Sequence, residues 1–294
     1  MAFDPDRLRA LRFPAVEQTL TEKDCILYAL GVGYGNDPVD GEQLPFVHEQ
    51  DGRGLRAAPT MASLLGYPGF WYRDLDTGLD AARVVHAAER IELDGPLPTS
   101  GRLRSEGGVT AVIDKGAARG ALVVSERRIT DTATGRRLAT VTQTALCRGD
   151  GGFDPDGPAA SPPRPAPPGR PPDAALTLPT QPQAALIFRL SGDINPLHAD
   201  PAAARAAGFE RPILHGLATY GLVGHALVRL AYDGQPERLR GMEAHFTAPV
   251  LPGESVRTEI WRDDGHTRFR ALVGERVVID HGRAWGVGGW GAAC

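Results

Sequence analysis

The stretch that decides the reading is IFRLSGDINPLHADPAAARAAGFERPILHGLATY, Ile187 to Tyr220. It sets Asp193, Asn195, His198, Asp200 and His215 among residues that read as apolar and buried. Ionisable groups held among water-excluding neighbours are candidates for acid/base work. The turn signals are local. Asp200 before Pro201 reads as an N-cap followed by a helix-starting proline, the alanine-rich run to Ala207 as helix, and Gly208 as its stop. A second helix is expected to begin near Pro212 and to carry Leu214, Leu217, Leu222, Leu227 and Leu230, with Gly216, Gly221 and Gly224 among them. Three glycines cost such a helix about 1 kcal/mol each relative to alanine, so close packing or a backbone contact is expected to offset them.

Outward from this stretch, the 294 residues suffice for two domains of ordinary size. The 32 basic and 36 acidic residues leave a net charge of -4 and no basic stripe that would ask for nucleic acid. Cys25, Cys147 and Cys294 have no metal-type spacing and leave one thiol over in any disulfide scheme, so a reducing cytoplasm is the expected location. No run approaches the ~20 apolar residues of a membrane span, and the N-terminus lacks an apolar signal core, so a soluble protein with no membrane partner is expected.

In chain order, residues 1 to 20 read as a leader with a helical turn or two, and Thr21 to Asp24 as the cap of an apolar segment that ends in GVGYG, Gly31 to Gly35. That glycine run reads as a helix ending in a turn, because the strand-turn-helix frame of a dinucleotide site is missing. Pro59 opens another short helix, and strands are expected over Arg83 to Leu93, Gly108 to Ile113, Ala121 to Ile129 and Leu138 to Arg148, joined by short turns as in an antiparallel sheet. From Asp154 to Pro182 the composition changes, with eleven of the chain's 25 prolines, and reads as a stiff linker. The expected division is therefore an N-terminal unit 1–153, a linker 154–182 and a C-terminal unit 183–294. The order of elements recurs after the linker: Tyr28 to Gly31 corresponds to Phe188 to Ser191, Pro59 to Pro212, and Pro96-Leu97-Pro98 to Val250-Leu251-Pro252. Such a repeat suggests a duplicated unit in which the second copy does chemistry and the first, with Gly31 to Gly35 in the corresponding place, shapes a binding space.

The ungapped run SGDINPLHADPAAARAAGFERPILHGLATYG resembles the hydratase 2 motif of the MaoC-like, hot-dog-fold family, which includes the (R)-specific 2-enoyl-CoA hydratases. Weaker resemblance covers nearly the whole chain through YALGVG, VHAAERIELDGPLPTSG, the DKG at Asp114 to Gly116, and HFTAPVLPGE at His245 to Glu254. The resemblance implies an α+β, double hot-dog fold with two antiparallel sheets each wrapped around a long helix, in which the first half has lost its catalytic residues and makes room for a bulky acyl chain. It implies a homodimer acting on an acyl-CoA. It also implies that His86 and Ala87 touch the substrate from the first half, that Lys115 meets coenzyme A, and that Phe246 lines the pocket. The family usually has glycine and then a Glu-Gln pair after that histidine, where this chain has Ala87-Ala88-Glu89.

The chemistry follows from the residues. Adding water to C3 of a trans-2-enoyl thioester needs a group that takes a proton, one that delivers it to C2, and a donor for the charge on the thioester oxygen. Asp193 and His198, close enough in sequence to share one loop, can hold one water, with Asn195 orienting them. Gly216, at the start of the Pro212 helix, offers a free backbone N–H in the favourable field of the helix dipole. No metal or organic cofactor is required, the coenzyme A thioester being the substrate. Each candidate also has a structural reading: Asp200 as a cap, His215 as a packed core histidine, His225 and His245 as structural, and Trp261, Trp285 and Trp290 as sheet residues, with Gly286 to Cys294 a loose tail. A hot-dog dehydratase acting on acyl carrier protein and an acyl-CoA thioesterase are the rival activities, and a non-catalytic acyl-CoA binder is the rival class. The thioesterase reading leaves His198 without a task.

Overall fold

Runs in which small or branched apolar residues alternate with polar ones become long antiparallel strands. The computed structural model describes residues 3–50, 52–154, 156–157, 164, 166–263 and 265–287. Its first half contains α1 (Pro5–Arg9), β1 (Val16–Leu20), α2 (Glu22–Gly31), α3 (Leu44–Val47), α4 (Trp71–Asp74), β2 (Val84–Leu93), β3 (Gly101–Asp114), β4 (Ala121–Asp131) and β5 (Arg137–Cys147). The second half contains β6 (Ala174–Pro179), α5 (Ala184–Phe188), α6 (Pro201–Ala206), α7 (Gly216–Ala231), β7 (Leu239–Phe246), β8 (Ser255–Asp263), β9 (His266–Val273) and β10 (Arg276–Gly286). The strands line up as β1-β3-β4-β5-β2-β7-β10-β9-β8-β6. From one edge inward the order is β1-β3-β4-β5-β2, and from the other β6-β8-β9-β10-β7, so each strand of one half has its counterpart five strands later. This is the double hot dog, with the duplication visible as a twofold arrangement about the β2–β7 seam.

Three expectations change in detail. The two sheets are joined into one, because β2 and β7 pair antiparallel from Ala88↔His245 to Glu92↔Gly241. The two halves do not both hold a long helix: α7 runs for sixteen residues, while at Pro59, where its counterpart would start, a five-residue 3-10 helix, Pro59–Ser63, stands instead. And two stretches read as leader and linker each supply an edge strand, β1 to β3 and β6 to β8. Both are short, and Glu17, Thr19, Ala175 and Thr177 carry too little apolar signal to announce a strand before its partner is present. Trp290 and residues 288–294, expected as a sheet residue and a loose tail, lie outside the described residues; Trp261 and Trp285 do sit in β8 and β10.

Helix α2 opens on the capping box read from Thr21, with Asp24 returning a hydrogen bond to the Thr21 N–H at 2.8 Å. It ends in the glycine turn, where Gly33 and Gly35 adopt φ of 86° and 77°. Helix α7 is buried on nearly every side, as the apolar centre of the core. Its glycines are explained by contact: a Cβ on Gly221 would lie 2.4 Å from Val32 Cγ1, and one on Gly224 would lie 2.3 Å from Thr60 Cγ2. The helix thus gives up about 1 kcal/mol of propensity at each glycine to let the first half pack directly on its backbone.

Candidate active site

The loop that carries the acidic and imidazole groups is held by its own short-range bonds. Gly192 takes a φ of 133° after the 3-10 turn Arg189–Ser191, which swings Asp193 inward. The Asp193 carboxylate accepts from the Asn195 N–H at 3.2 Å, and Asn195 Oδ1 in turn caps the 3-10 helix Pro196–His198 through the Leu197 N–H at 3.1 Å. That cap sets His198 one turn on. Asp200 is the helix cap expected of it, accepting from the Ala202 N–H at 2.7 Å. Asn195 has therefore spent its carbonyl oxygen on the turn and retains its NH2 donors for a ligand.

Helix α7 begins at Gly216, four residues later than Pro212 suggested, because residues 212–215 run extended and the Leu214 N–H bonds the Val250 carbonyl at 2.8 Å. As the first helical residue Gly216 has no intrahelical acceptor for its N–H. The Phe246 ring lies 3.4 to 3.5 Å from where a Gly216 Cβ would stand, so any side chain there would crowd the approach.

Both imidazoles have one nitrogen committed. His198 Nδ1 lies 2.9 Å from the Ile213 carbonyl, which can only accept, so Nδ1 carries the hydrogen and Nε2 keeps its lone pair. His215 Nε2 likewise donates to the Asp193 backbone carbonyl at 3.0 Å, leaving Nδ1 buried with no partner among the described residues. Burial lowers the pKa of His198, opposed by the Ile213 carbonyl and the Asp193 charge, and pushes His215 down to about 3 with help from its neighbour His198. One ring nitrogen each of His198 and His215 and one carboxylate oxygen of Asp193 all lie within 4.8 Å of one another. A water with two hydrogen bonds of about 2.8 Å bridges such a gap.

The same trio has the composition of a metal site, its third member supplied by the fold instead of by helical spacing. However, the His198 and His215 rings stack at 3.8 Å between centroids and 29° between planes, so their in-plane lone pairs run side by side and do not converge on one ion. The set suits a water molecule better than a cation.

The first half reaches the same place. His86 packs its ring 4.7 Å from Phe246, and the β2–β5 register slips between His86 and Ala88, so Ala87 is the bulged residue. Lys115 lies on the β3–β4 turn at the same end of the sheet, but it is 8 % exposed, which differs from the free point charge expected of a phosphate contact. Two residues near the site were not among the expected site residues. Tyr67 sits close enough for the Asp193 charge to add to the effect of burial in raising its pKa, and Glu89 is buried beside His86. Tyr67 belongs to no motif, and Glu89 lies in the run VHAAERIEL, where nothing local marks it as the partner of His86.

His225 stacks on Tyr34 at 3.7 Å and bonds the Val32 carbonyl through Nδ1 at 3.3 Å, the structural role expected of it. Cys25 and Cys147 are buried free thiols, each pushed up to about 12 chiefly by burial. Among the described residues no helix is long and apolar enough to cross a membrane.

Comparison with known proteins agrees with this architecture half by half. Residues 18–149 match the model of the MFE-2 hydratase 2 N-terminal domain, and residues 164–281 that of the MaoC like domain. The 3-hydroxyacyl-thioester dehydratase Y of Mycobacterium tuberculosis is 38% identical over 96% of this chain and 98% of its own length. The peroxisomal enoyl-CoA hydratase 2 of Arabidopsis thaliana is 35% identical over 93% of this chain and 92% of its own. The crystal structure of a MaoC-like dehydratase from Phytophthora capsici superposes with a TM-score of 0.83 at 28% identity, over 96% of this chain and 98% of that one.

Proposed function

We propose that this chain, which belongs to the MaoC-like, hydratase 2 family, is a hydro-lyase that reversibly hydrates trans-2-enoyl-CoA to (3R)-3-hydroxyacyl-CoA. The observation that carries the reading is the grouping of Asp193 and His198 within reach of one water beside the first residue of α7. Neutral His198 takes a proton from the water through Nε2 as the oxygen bonds to C3. The C2=C3 electron pair moves into the thioester, and the Gly216 N–H donates a hydrogen bond to the oxygen that takes up the charge. The imidazolium then returns its proton to C2. The Asp193 carboxylate holds the water's second hydrogen, which stays on the new hydroxyl, and it favours the transient imidazolium. Asn195 steadies the water with its NH2 group.

In this reading residues 1–153 form the degenerate half that receives the acyl chain, 154–182 connect, and 183–294 carry the chemistry. His86, Ala87 and Phe246 line the thioester's approach and Lys115 the coenzyme A side. Every proton and charge of the reaction is met by these groups, so no metal or organic cofactor is invoked, and we take the working form to be a cytoplasmic homodimer. The test is incubation with a panel of trans-2-enoyl-CoAs, following loss of the conjugated-thioester absorbance and resolving the product on a chiral column. Formation of (3R)-hydroxyacyl-CoA is expected. Release of free coenzyme A, or turnover of carrier-protein thioesters alone, would replace the reading with hydrolysis or with a carrier-protein dehydratase.

A further inference from the structure

Glu89 is the buried carboxylate that the hydration scheme leaves unused. It is 1 % exposed on β2, with Oε1 unpartnered among the described residues and Oε2 3.1 Å from His86 Nε2. Residues three apart on a regular strand point to opposite faces. Here the extra residue of the bulge between His86 and Ala88 brings the two side chains together. His86 Nε2 also lies 3.1 Å from the Ala88 carbonyl. Facing two acceptors, it carries the hydrogen, and Nδ1 is left for a ligand. Gln143 lies alongside, its Oε1 accepting from the Tyr72 hydroxyl at 3.2 Å; its Nε2, 3.4 Å from the protonated His86 nitrogen, is a donor facing a donor and adds no hydrogen bond there. Buried Arg127 supplies the opposite charge, and one of its Nη atoms donates to the Ser63 carbonyl. Burying a carboxylate and a guanidinium costs more than an apolar pair of the same volume would, so these charges are not explained by packing. What they achieve is to fix one half-buried imidazole against Phe246, whose ring borders the Gly216 amide.

Resting on the hydratase reading above, we propose that Glu89 is a positioning residue: it pins His86 so that Nδ1 accepts an N–H from the amide-bearing arm of the thioester's carrier. Glu89 thereby sets thioester affinity, leaving the rate of water addition to Asp193 and His198. The test is a double-mutant cycle on the full chain with Glu89→Gln, His86→Ala and the pair. Each single change is expected to raise KM for a trans-2-enoyl-CoA about five- to tenfold with kcat within about twofold, and the pair to be no worse than His86→Ala alone. Unchanged KM, a loss confined to kcat, or effects that multiply in the pair would overturn the proposal. If Glu89→Gln does not fold, the ring nitrogens of His86 in the unmutated chain carry the test by 15N NMR. A protonated Nε2, with an Nδ1 resonance that moves when a saturated acyl-CoA binds, is expected; an Nδ1 that does not move overturns the proposal. Calorimetry with the same saturated acyl-CoA separates the two readings. Weaker binding by both variants of a chain that hydrates nothing sinks the hydratase reading alone, whereas normal binding by variants of an active hydratase sinks only this one.

Discussion

The two halves of the molecule share a strand order and differ in what fills it. The second half wraps its sheet around α7, a sixteen-residue helix that begins one residue after His215; the first offers five residues of 3-10 helix at the matching place. On the concave side of the second half Met242, Ala244, Phe269 and Ala271 are buried and apolar. In the first half Glu89, Gln143 and Ser125 lie in register across β2, β5 and β4, all buried. The difference teaches that one duplicated scaffold can keep its hydrogen-bonded framework while the stability of one copy is traded for polar groups and space. In the proposed reaction the copy that keeps the helix carries the chemistry, because a helix N-terminus supplies oriented, unpaired amides.

The comparison breaks first at the loop of the second half. Asp193→Asn or His198→Gln is expected to lower hydration by about three orders of magnitude or more while acyl-CoA affinity stays within a few-fold, as steady-state rates and calorimetry would read. Near-normal turnover in either variant would move the chemistry elsewhere. Gly216→Pro tests the helix end itself. Proline is accepted at the first helical position, and His215 already has the extended backbone, φ -56° and ψ 137°, that a following proline requires. Because the change deletes the N–H, kcat should fall about a hundred- to a thousandfold with little change in Tm.

The contact between halves is probed by Gly221→Ala and Gly224→Ala. Alanine normally stabilises a helix interior, but here the added methyl would meet Val32 or Thr60, so a loss of about 1–3 kcal/mol is expected in chemical denaturation. A gain would mean that the halves are not packed through these glycines. The smallest effect at neutral pH concerns His225, which ties α7 to the first half. Its pKa is held near 4, chiefly by burial, against an ordinary value of 6.5. The unfolded chain therefore takes up the proton first: the stability this neutral group contributes is complete above pH 6.5, falls as the pH drops toward 4, and is level below. The loss is about 1.4 kcal/mol for each pH unit between those limits. His225→Gln should flatten that part of the stability curve, and an unchanged slope would contradict the assignment.

Much of the site was legible because its signals are local. Asp200-Pro201 and the Thr21 capping box each bond within three residues and need no partner segment to be recognised, whereas the cap that Asn195 gives Pro196–His198 is seen only in the structure. Strands β2, β4 and β5 were legible for a similar reason, since alternation shows within a single run. The first seven residues of β3 were not, because Arg102, Arg104 and Glu106 face solvent and mask the alternation of Leu103 and Ser105. The tautomer of His198, on which its proposed task as proton acceptor depends, was equally hidden. It depends on the Ile213 carbonyl, which comes into place only when the chain turns back from α6 to α7.

By itself, then, the sequence determined the reactive loop, its caps, the glycine-marked helix and the duplication, since each is written in neighbouring residues whose hydrogen bonds close over one turn. The tertiary structure alone decided that the two sheets are one, that the first half lacks its helix, and that Glu89 bonds the imidazole of His86 where that ring packs on Phe246. These outcomes rest on pairings between distant segments, whose free energy depends on what else has been buried around them and is encoded in no single stretch of the chain.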